Sequence, residues 1–300
     1  MSKTIRIGLI GLDTSHVSVF SRLLNDPEDP DHIPGAQVTT GFPGGSPDLA
    51  LSIDRVEKFT SELRDQRGVR IVGTPEEVAE AVDLVMITSV DGRVHRGQFE
   101  RIAGCGKPVF MDKPFALTSA DAREMLRLAE EKGIPLMSCS SLRYAEHLAG
   151  ALSGGREEIT GCEVSGPMPE LENPPGLLWY GCHSVEMMVA IMGTGCREVR
   201  CFRNEGTDLL TAEWNDGRVA TLRGSRSSHH KFGALLHRKD GAQFADCSAG
   251  RQNYVGLLNA ILASLPMGSS AVPPDEMIEV VRIIEAANTS RVDDGCTVAV

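Results

Sequence analysis

The stretch Ile5-Arg6-Ile7-Gly8-Leu9-Ile10-Gly11-Leu12-Asp13-Thr14-Ser15-His16-Val17 decides the fold. Its first six residues are mostly apolar and β-branched, the pattern of a strand covered on both faces. Gly11 ends the run, and Thr14 and Ser15 are residues that start helices. Val17, Phe20, Leu23 and Leu24 then recur at helical spacing. A buried strand, a glycine turn and an amphipathic helix are the opening of a βαβ unit.

Working outward, the alternation continues. Ala36 to Gly41 reads as a second strand, and Phe42-Pro43-Gly44-Gly45-Ser46-Pro47 breaks the chain. Leu49, Ile53, Val56, Phe59 and Leu63 predict one face of a helix, followed by a short strand at Val69 to Val72. Thr74-Pro75-Glu76-Glu77 is a capping box with proline at the first helical position. Asp83 to Thr88 is again a strand buried on both faces. Val94 to Cys105 reads as a helix, Pro108 to Met111 as a strand, and Thr118 to Lys132 as a helix stopped by Gly133. Pro135 to Ser138 closes the series. Such repeats specify a parallel, doubly wound α/β sheet with right-handed crossovers.

After about residue 155 the period changes. Ile159 to Ser165, Val199 to Arg203, Leu209 to Trp214, Val219 to Arg223 and Ala234 to His237 follow one another as strands, separated by turns such as Asn215-Asp216-Gly217. This predicts an α+β domain with a mainly antiparallel sheet, interrupted by a helix from His183 to Met192. Two helices end the chain, from Tyr254 to Leu265 and from Pro273 onward. The expected division is residues 1–140 for dinucleotide binding and 141–300 for substrate and assembly, with the terminal helices packing back on the first domain.

Composition narrows the classes of function. Thirty Lys and Arg against 41 Asp and Glu give a net charge of −11, unlike a general nucleic-acid binder or a basic membrane-surface protein. No apolar run reaches the roughly 18 residues of a spanning helix. No signal-like apolar core precedes the first strand, so a cytoplasmic location is expected. The 8 cysteines form no C-x-x-C pair, which fits buried reduced thiols and leaves no zinc pattern; no metal is expected.

The chemistry concentrates at strand ends. Gly11 stands at the first glycine of a dinucleotide fingerprint, whereas Asp13 and His16 occupy the second and third. A carboxylate about 4 Å from a phosphate costs roughly 4 kcal/mol at an effective dielectric near 20, so Asp13 either turns away to cap the helix or is compensated. Thr14 and Ser15 read equally as caps or as phosphate donors, and His16 adds a partial positive charge. The acidic residue that binds ribose hydroxyls at the end of the second strand is missing, and no arginine adjoins it in sequence. The cofactor therefore stays open between NAD and NADP. Lys113, in Met111-Asp112-Lys113-Pro114-Phe115, ends another parallel strand beside the expected ligand crevice, where a lysine can serve as an acid or base.

Taken together, Gly11, Thr88-Ser89 with His95, Asp112-Lys113-Pro114 and Gly181-Cys182-His183-Ser184-Val185-Glu186 resemble the Gfo/Idh/MocA oxidoreductases, the group of glucose–fructose oxidoreductase and inositol dehydrogenase. The resemblance spans nearly the whole chain and implies a Rossmann-type first domain. It further implies a nicotinamide-dependent dehydrogenase acting on a sugar, polyol or related compound, as a homo-oligomer, dimer or tetramer. By carry-over, Lys113 orients nicotinamide and substrate, and His183 exchanges a proton with the substrate oxygen; the two are expected to meet across a cleft. Gly11, Asp13, Thr14, Ser15, His16, Thr88, Ser89, His95, Asp112 and Lys113 fall on the cofactor side. Arg143, Tyr144, Trp179, His183 and His230 fall on the substrate side. Departures cluster at the same place. Asp112 replaces the family's Glu and Glu186 its Asp. Trp179 replaces an aspartate four residues before the histidine, and Ser141 replaces the asparagine of Asn-x-Arg-Phe. A non-catalytic dinucleotide- or sugar-binding protein of the same fold is the alternative.

Overall fold

The computed structural model describes residues 4–171, 176–227 and 231–300. Among these residues it contains thirteen strands and nine α-helices: β1 (Ile5–Ile10), α1 (Ser15–Asn25), β2 (Ala36–Phe42), α2 (Ala50–Arg67), β3 (Arg70–Ile71), α3 (Pro75–Ala81), β4 (Leu84–Ile87), α4 (His95–Ile102), β5 (Val109–Met111), α5 (Ser119–Lys132), β6 (Leu136–Ser138), α6 (Glu146–Leu152), β7 (Ile159–Pro167), α7 (Gly181–Met192), β8 (Cys196–Arg203), β9 (Thr207–Trp214), β10 (Val219–Ser225), β11 (Gly233–Arg238), β12 (Gly241–Asp246), α8 (Arg251–Ser264), α9 (Pro274–Val292) and β13 (Val298–Ala299). No helix among the described residues is long and apolar enough to cross a membrane.

The chain divides into two compact units. The first comprises residues through Ala116 together with Ala120–Ser138 and Leu257–Val272. The second comprises Leu117–Ser119, Cys139–Gly256 and Pro273–Val300. In the first, six strands lie in the order β3-β2-β1-β4-β5-β6, all parallel. β1 sits between β2, where Ile7 faces Val38, and β4, where Ile10 faces Ile87. The strand order reverses there, and the loops after β1 and β4 lie side by side at the carboxyl ends. Val17, Phe20 and Leu23 are fully buried, as the helical spacing predicts. The capping box also forms: the Thr74 hydroxyl accepts the Glu77 N–H, and the Glu77 carboxylate accepts the Gly73 N–H.

α2 departs from its expected face. Ile53 is exposed, and Ser52 is buried in its place. The reason is polar: Ser52 Oγ donates to the Asp13 carboxylate and accepts the Ser46 N–H, so the helix turns this serine toward the first glycine turn.

The second unit is a seven-stranded sheet in the order β12-β11-β7-β10-β9-β8-β13. It is mainly antiparallel, but β7 and β10 run parallel. The sequence reading built this sheet from hairpins; β7 instead enters between β10 and β11, which follow it much later in the chain. α7 and α9 bury Val185, Met188, Ile191, Ile283 and Ile284 in the core of this unit, with Cys162, Leu210, Trp214 and Leu222 from the strands. The buried residues of α9 join this core, whereas most of α8 falls in the first unit.

Candidate active site

In the first unit the glycine turn is built from close approach. Gly11 has φ of +90°, and a Cβ there would lie 2.1 Å from Ser89 Oγ and 2.5 Å from Ser89 Cα. Its N–H donates to Phe42 O and the Leu12 N–H to Pro43 O. The Thr88 hydroxyl donates to Gly11 O at 2.7 Å, and Ser89 Oγ is bonded to the Gln98 amide. Thr88 and Ser89 therefore clamp the turn.

Asp13 is fully buried and points away from the mouth of the turn. Its Oδ1 accepts the Val90 N–H at 2.9 Å and its Oδ2 the Ser52 hydroxyl at 2.6 Å. Burial raises its pKa above the ordinary aspartate value, against the pull of these two bonds. The helix cap expected of Asp13 is supplied instead by Thr14, whose side chain accepts the His16 N–H. No acidic residue stands in the first turn of α1, and Ser15 is exposed there. The positive end of this helix is therefore not neutralised by a side chain of its own first turn.

His16 and Asp112 form a buried hydrogen-bonded pair through Nδ1 and Oδ2. Burial alone works to raise the Asp112 pKa. The His16 ring, the Lys113 charge and the Lys113 N–H outweigh it and hold this carboxyl below its ordinary range. Lys113 follows directly, and the Lys113–Pro114 peptide is cis. His95 is fully buried, with Nε2 2.8 Å from Ser89 O and Nδ1 3.3 Å from Phe115 O. It ties the loops after β4 and β5 together, and both ring nitrogens face the protein's own carbonyls.

The end of β2 holds a feature that sequence reasoning missed. Arg93, from the loop after β4, makes a two-pronged bond to Asp48 at 2.8 and 2.9 Å and also bonds Asp91. An acid and an arginine are thus paired in the loops beyond this strand end, and together with Asp91 they carry one net negative charge. Asp91-Gly92-Arg93 follows a parallel strand, which is the signal that could have drawn attention to it.

In the second unit α7 carries His183 and Glu186 one turn apart, both buried. His183 Nδ1 lies 2.6 Å from Ser140 Oγ. The rings of Tyr180 and Phe232 stand edge-on to His183, each with centroids 5.6 Å away. Tyr180 stacks on Phe232, and Trp179 packs edge-on against Tyr180. Arg143 is buried between two carboxylates, donating through Nε to Glu186 and through Nη1 to Glu276 at 2.7 Å; Arg156 completes the cluster on Glu276. Nε and Nη1 of Arg143 are thus engaged within the protein, while its buried Nη2 has no hydrogen-bond partner among the described residues. Tyr144, next to it, is mostly buried, which pushes its phenol pKa up. His230 lies outside the described residues. Sequence reasoning missed Ser140, Glu276 and Ser52. The run Ser138-Cys139-Ser140-Ser141 after a parallel strand was the available hint for Ser140. Nothing in the sequence marks a serine inside a helix.

All 8 cysteines are free, six of them buried. Among the described residues no cluster of His, Cys, Asp and Glu is suited to a metal ion.

Comparison with known proteins places this geometry. Residues 5–139 match the family described as "Oxidoreductase family, NAD-binding Rossmann fold". Inositol 2-dehydrogenase of Cereibacter sphaeroides is 29% identical over 143 residues, 47% of this chain and 37% of that protein. The match thus spans little more than a third of that relative's length. Among solved structures, a probable dehydrogenase from Thermotoga maritima superposes with a TM-score of 0.80 at 19% identity, covering 98% of each chain. Scyllo-inositol dehydrogenase from Lactobacillus casei, with bound NAD(H) and scyllo-inositol, gives 0.78 at 15% identity over 99% of each. These structures share the fold along the whole chain. Residues 5–139, with the glycine turn at Gly11 and the strand end at Asp112-Lys113-Pro114, are similar to the Gfo/Idh/MocA oxidoreductases.

Proposed function

We propose that the protein is an NAD-dependent dehydrogenase that oxidises a secondary hydroxyl of a polyol or sugar, or reduces the matching carbonyl. The observation that carries the reading is the orientation of Asp13. Its carboxylate is consumed by Val90 N–H and Ser52, so the one residue of the turn that opposes a pyrophosphate is directed into the protein. The N-terminus of α1, without acid in its first turn, fits a dinucleotide phosphate. Asp48 and Asp91 around Arg93 leave one net negative charge at the end of β2, which disfavours the additional phosphate of NADP. NAD supplies the hydride acceptor.

The chain's own residues handle the rest. Lys113, fixed by the strand end and by the Asp112–His16 pair beside it, orients the reactants. His183 takes the hydroxyl proton as hydride leaves the same carbon, a task suited to imidazole near neutral pH. Trp179, Tyr180 and Phe232 offer apolar ring faces beside His183, a surface matched to the C–H face of a cyclic polyol or sugar. Free, mostly buried thiols suit a reducing cytoplasm. Assembly is expected through the sheet face opposite α7 and α9, where Leu209, Val219 and Phe244 are exposed.

The test is a titration with NADH and NADPH, then an oxidation and reduction screen over inositols, sugars and sugar acids. Tighter binding of NADH and turnover of a cyclic polyol or sugar support the reading. Failure of both dinucleotides to bind at millimolar concentration overturns it, and binding without turnover favours the non-catalytic alternative.

A further inference from the structure

We propose that Ser140 is a positioning residue for His183: its hydroxyl takes the place of a carboxylate partner and fixes which ring nitrogen faces the reaction. The proposal rests on the role given to His183 above. The position where the family's aspartate stands holds Trp179, which has no acceptor to offer an imidazole. The structure supplies an acceptor from elsewhere. Ser140 lies two residues beyond β6, at the start of the 3-10 turn Ser141–Tyr144, and is 1% exposed. Its Oγ is 2.6 Å from His183 Nδ1.

Ser140 is itself held at two points. Its Oγ accepts the Leu142 N–H at 3.1 Å. Its backbone N–H bonds the Glu186 carboxylate. Glu186 in turn accepts Arg143 Nε, and Arg143 is anchored on Glu276. His183 and Glu186 are three residues apart on α7, so one helix face grips Ser140 at both its hydroxyl and its amide. Aromatic edges from Tyr180 and Phe232 hold the plane of the imidazole.

The proposed role fixes the tautomer: for Nε2 to receive a substrate proton, Nδ1 carries the ring's own proton and donates it to Ser140 Oγ. The other lone pair of that oxygen takes the Leu142 N–H. The ring lone pair is thereby placed on Nε2, and a proton leaving a substrate hydroxyl as its C–H hydride departs lands on that atom. The new imidazolium keeps its Nδ1–H bond to a neutral hydroxyl. A neutral partner supports the charged ring less than a carboxylate does, so this histidine works as a base at lower pH than it would beside an aspartate.

The experiment uses the full chain with 15N-labelled histidine. The His183 ring signals are assigned as those lost in His183→Asn, and two-bond proton–nitrogen correlations read the tautomer. The expected wild-type pattern is Nδ1 protonated and Nε2 bare above the titration of the ring. Ser140→Ala abolishes that preference and Ser140→Thr, which keeps the hydroxyl, retains it. Ser140→Asp in a folded protein raises the titration midpoint of the ring by about one unit or more, as an adjacent opposite charge does. On a turned-over substrate, Ser140→Ala lowers kcat about tenfold to a hundredfold with the KM for NADH unchanged, part of the roughly 10²–10⁴ of a general acid–base group. A wild-type Nε2–H tautomer, or a tautomer indifferent to Ser140→Ala, overturns the proposal. Absence of any turnover overturns the dehydrogenase reading instead, while the ring spectra still decide the role of Ser140.

Discussion

Asp13 shows how far one side chain can differ from what its position suggests. At the second fingerprint position a carboxylate is an electrostatic obstacle, and replacing it by glycine would be expected to tighten dinucleotide binding. The bonds to Val90 N–H and Ser52 reverse that expectation. Asp13→Gly and Asp13→Ala should leave NADH affinity no tighter. Each should lower unfolding stability by about 1–3 kcal/mol, the cost of stranding a buried donor. Asp13→Asn should cost less and change the pH response. The folded pKa of Asp13 is raised, so its contribution is complete below the unfolded value and is lost as pH rises through the folded one. The asparagine variant should lack that loss, as denaturant melts from mildly acidic to neutral pH would show. At Lys113 and His183 the expectation is chemical. Lys113→Met and His183→Asn should each reduce turnover by roughly 10²–10⁴. NADH binding, read by fluorescence, should persist in the histidine variant.

Among the elements, α7 has a distinctive burial pattern. All twelve residues from Gly181 to Met192 are buried, although the segment includes a histidine and a glutamate. Its polar side is made tolerable by Ser140, Arg143 and, through Arg143, Glu276. Removing one partner leaves uncompensated buried charge, so Arg143→Leu should cost about 3–5 kcal/mol in chemical denaturation. Acid should act on the same cluster through Glu276. Burial raises this group, but its bonds to Arg156 and Arg143 prevail and lower its pKa. Its stabilising contribution is therefore present above the ordinary glutamate range and is lost as pH falls through the lowered value. Glu276→Gln should flatten that acid limb of the stability profile; an unchanged limb would assign it to other carboxylates, such as Asp112 and Asp91. The helix α2 teaches a related lesson. Its apolar spacing nominated Ile53 for the core, yet Ser52, bonded to Asp13 and Ser46, is buried and Ile53 is exposed.

For the whole molecule, the testable question is assembly. The sheet of the second unit has α7 and α9 on one face and exposes Leu209, Val219 and Phe244 on the other. Light scattering at micromolar concentration should give the mass of a dimer or tetramer. Leu209→Arg combined with Phe244→Glu should yield a monomer with an unchanged far-ultraviolet spectrum. A wild-type monomer would count against this use of the face. The net charge of −11 is unlike that of a general nucleic-acid binder.

The sequence by itself determined the alternation of strand and helix in the first unit, the place of the glycine turn and the candidacy of Lys113 and His183. These are local signals: period, caps, turn residues and the order of motifs along the chain. Only the tertiary structure decided that Asp13 faces inward, that Arg93 is paired with Asp48, that β7 enters the second sheet between later strands, and that His183 is bonded to Ser140. Each of these depends on residues tens of positions apart whose side chains meet for reasons of hydrogen bonding and charge. Polar partnership of that kind has no period in sequence. An apolar face repeats every three or four residues and can be read in advance, whereas a single donor finds its acceptor only once the chain has closed around both.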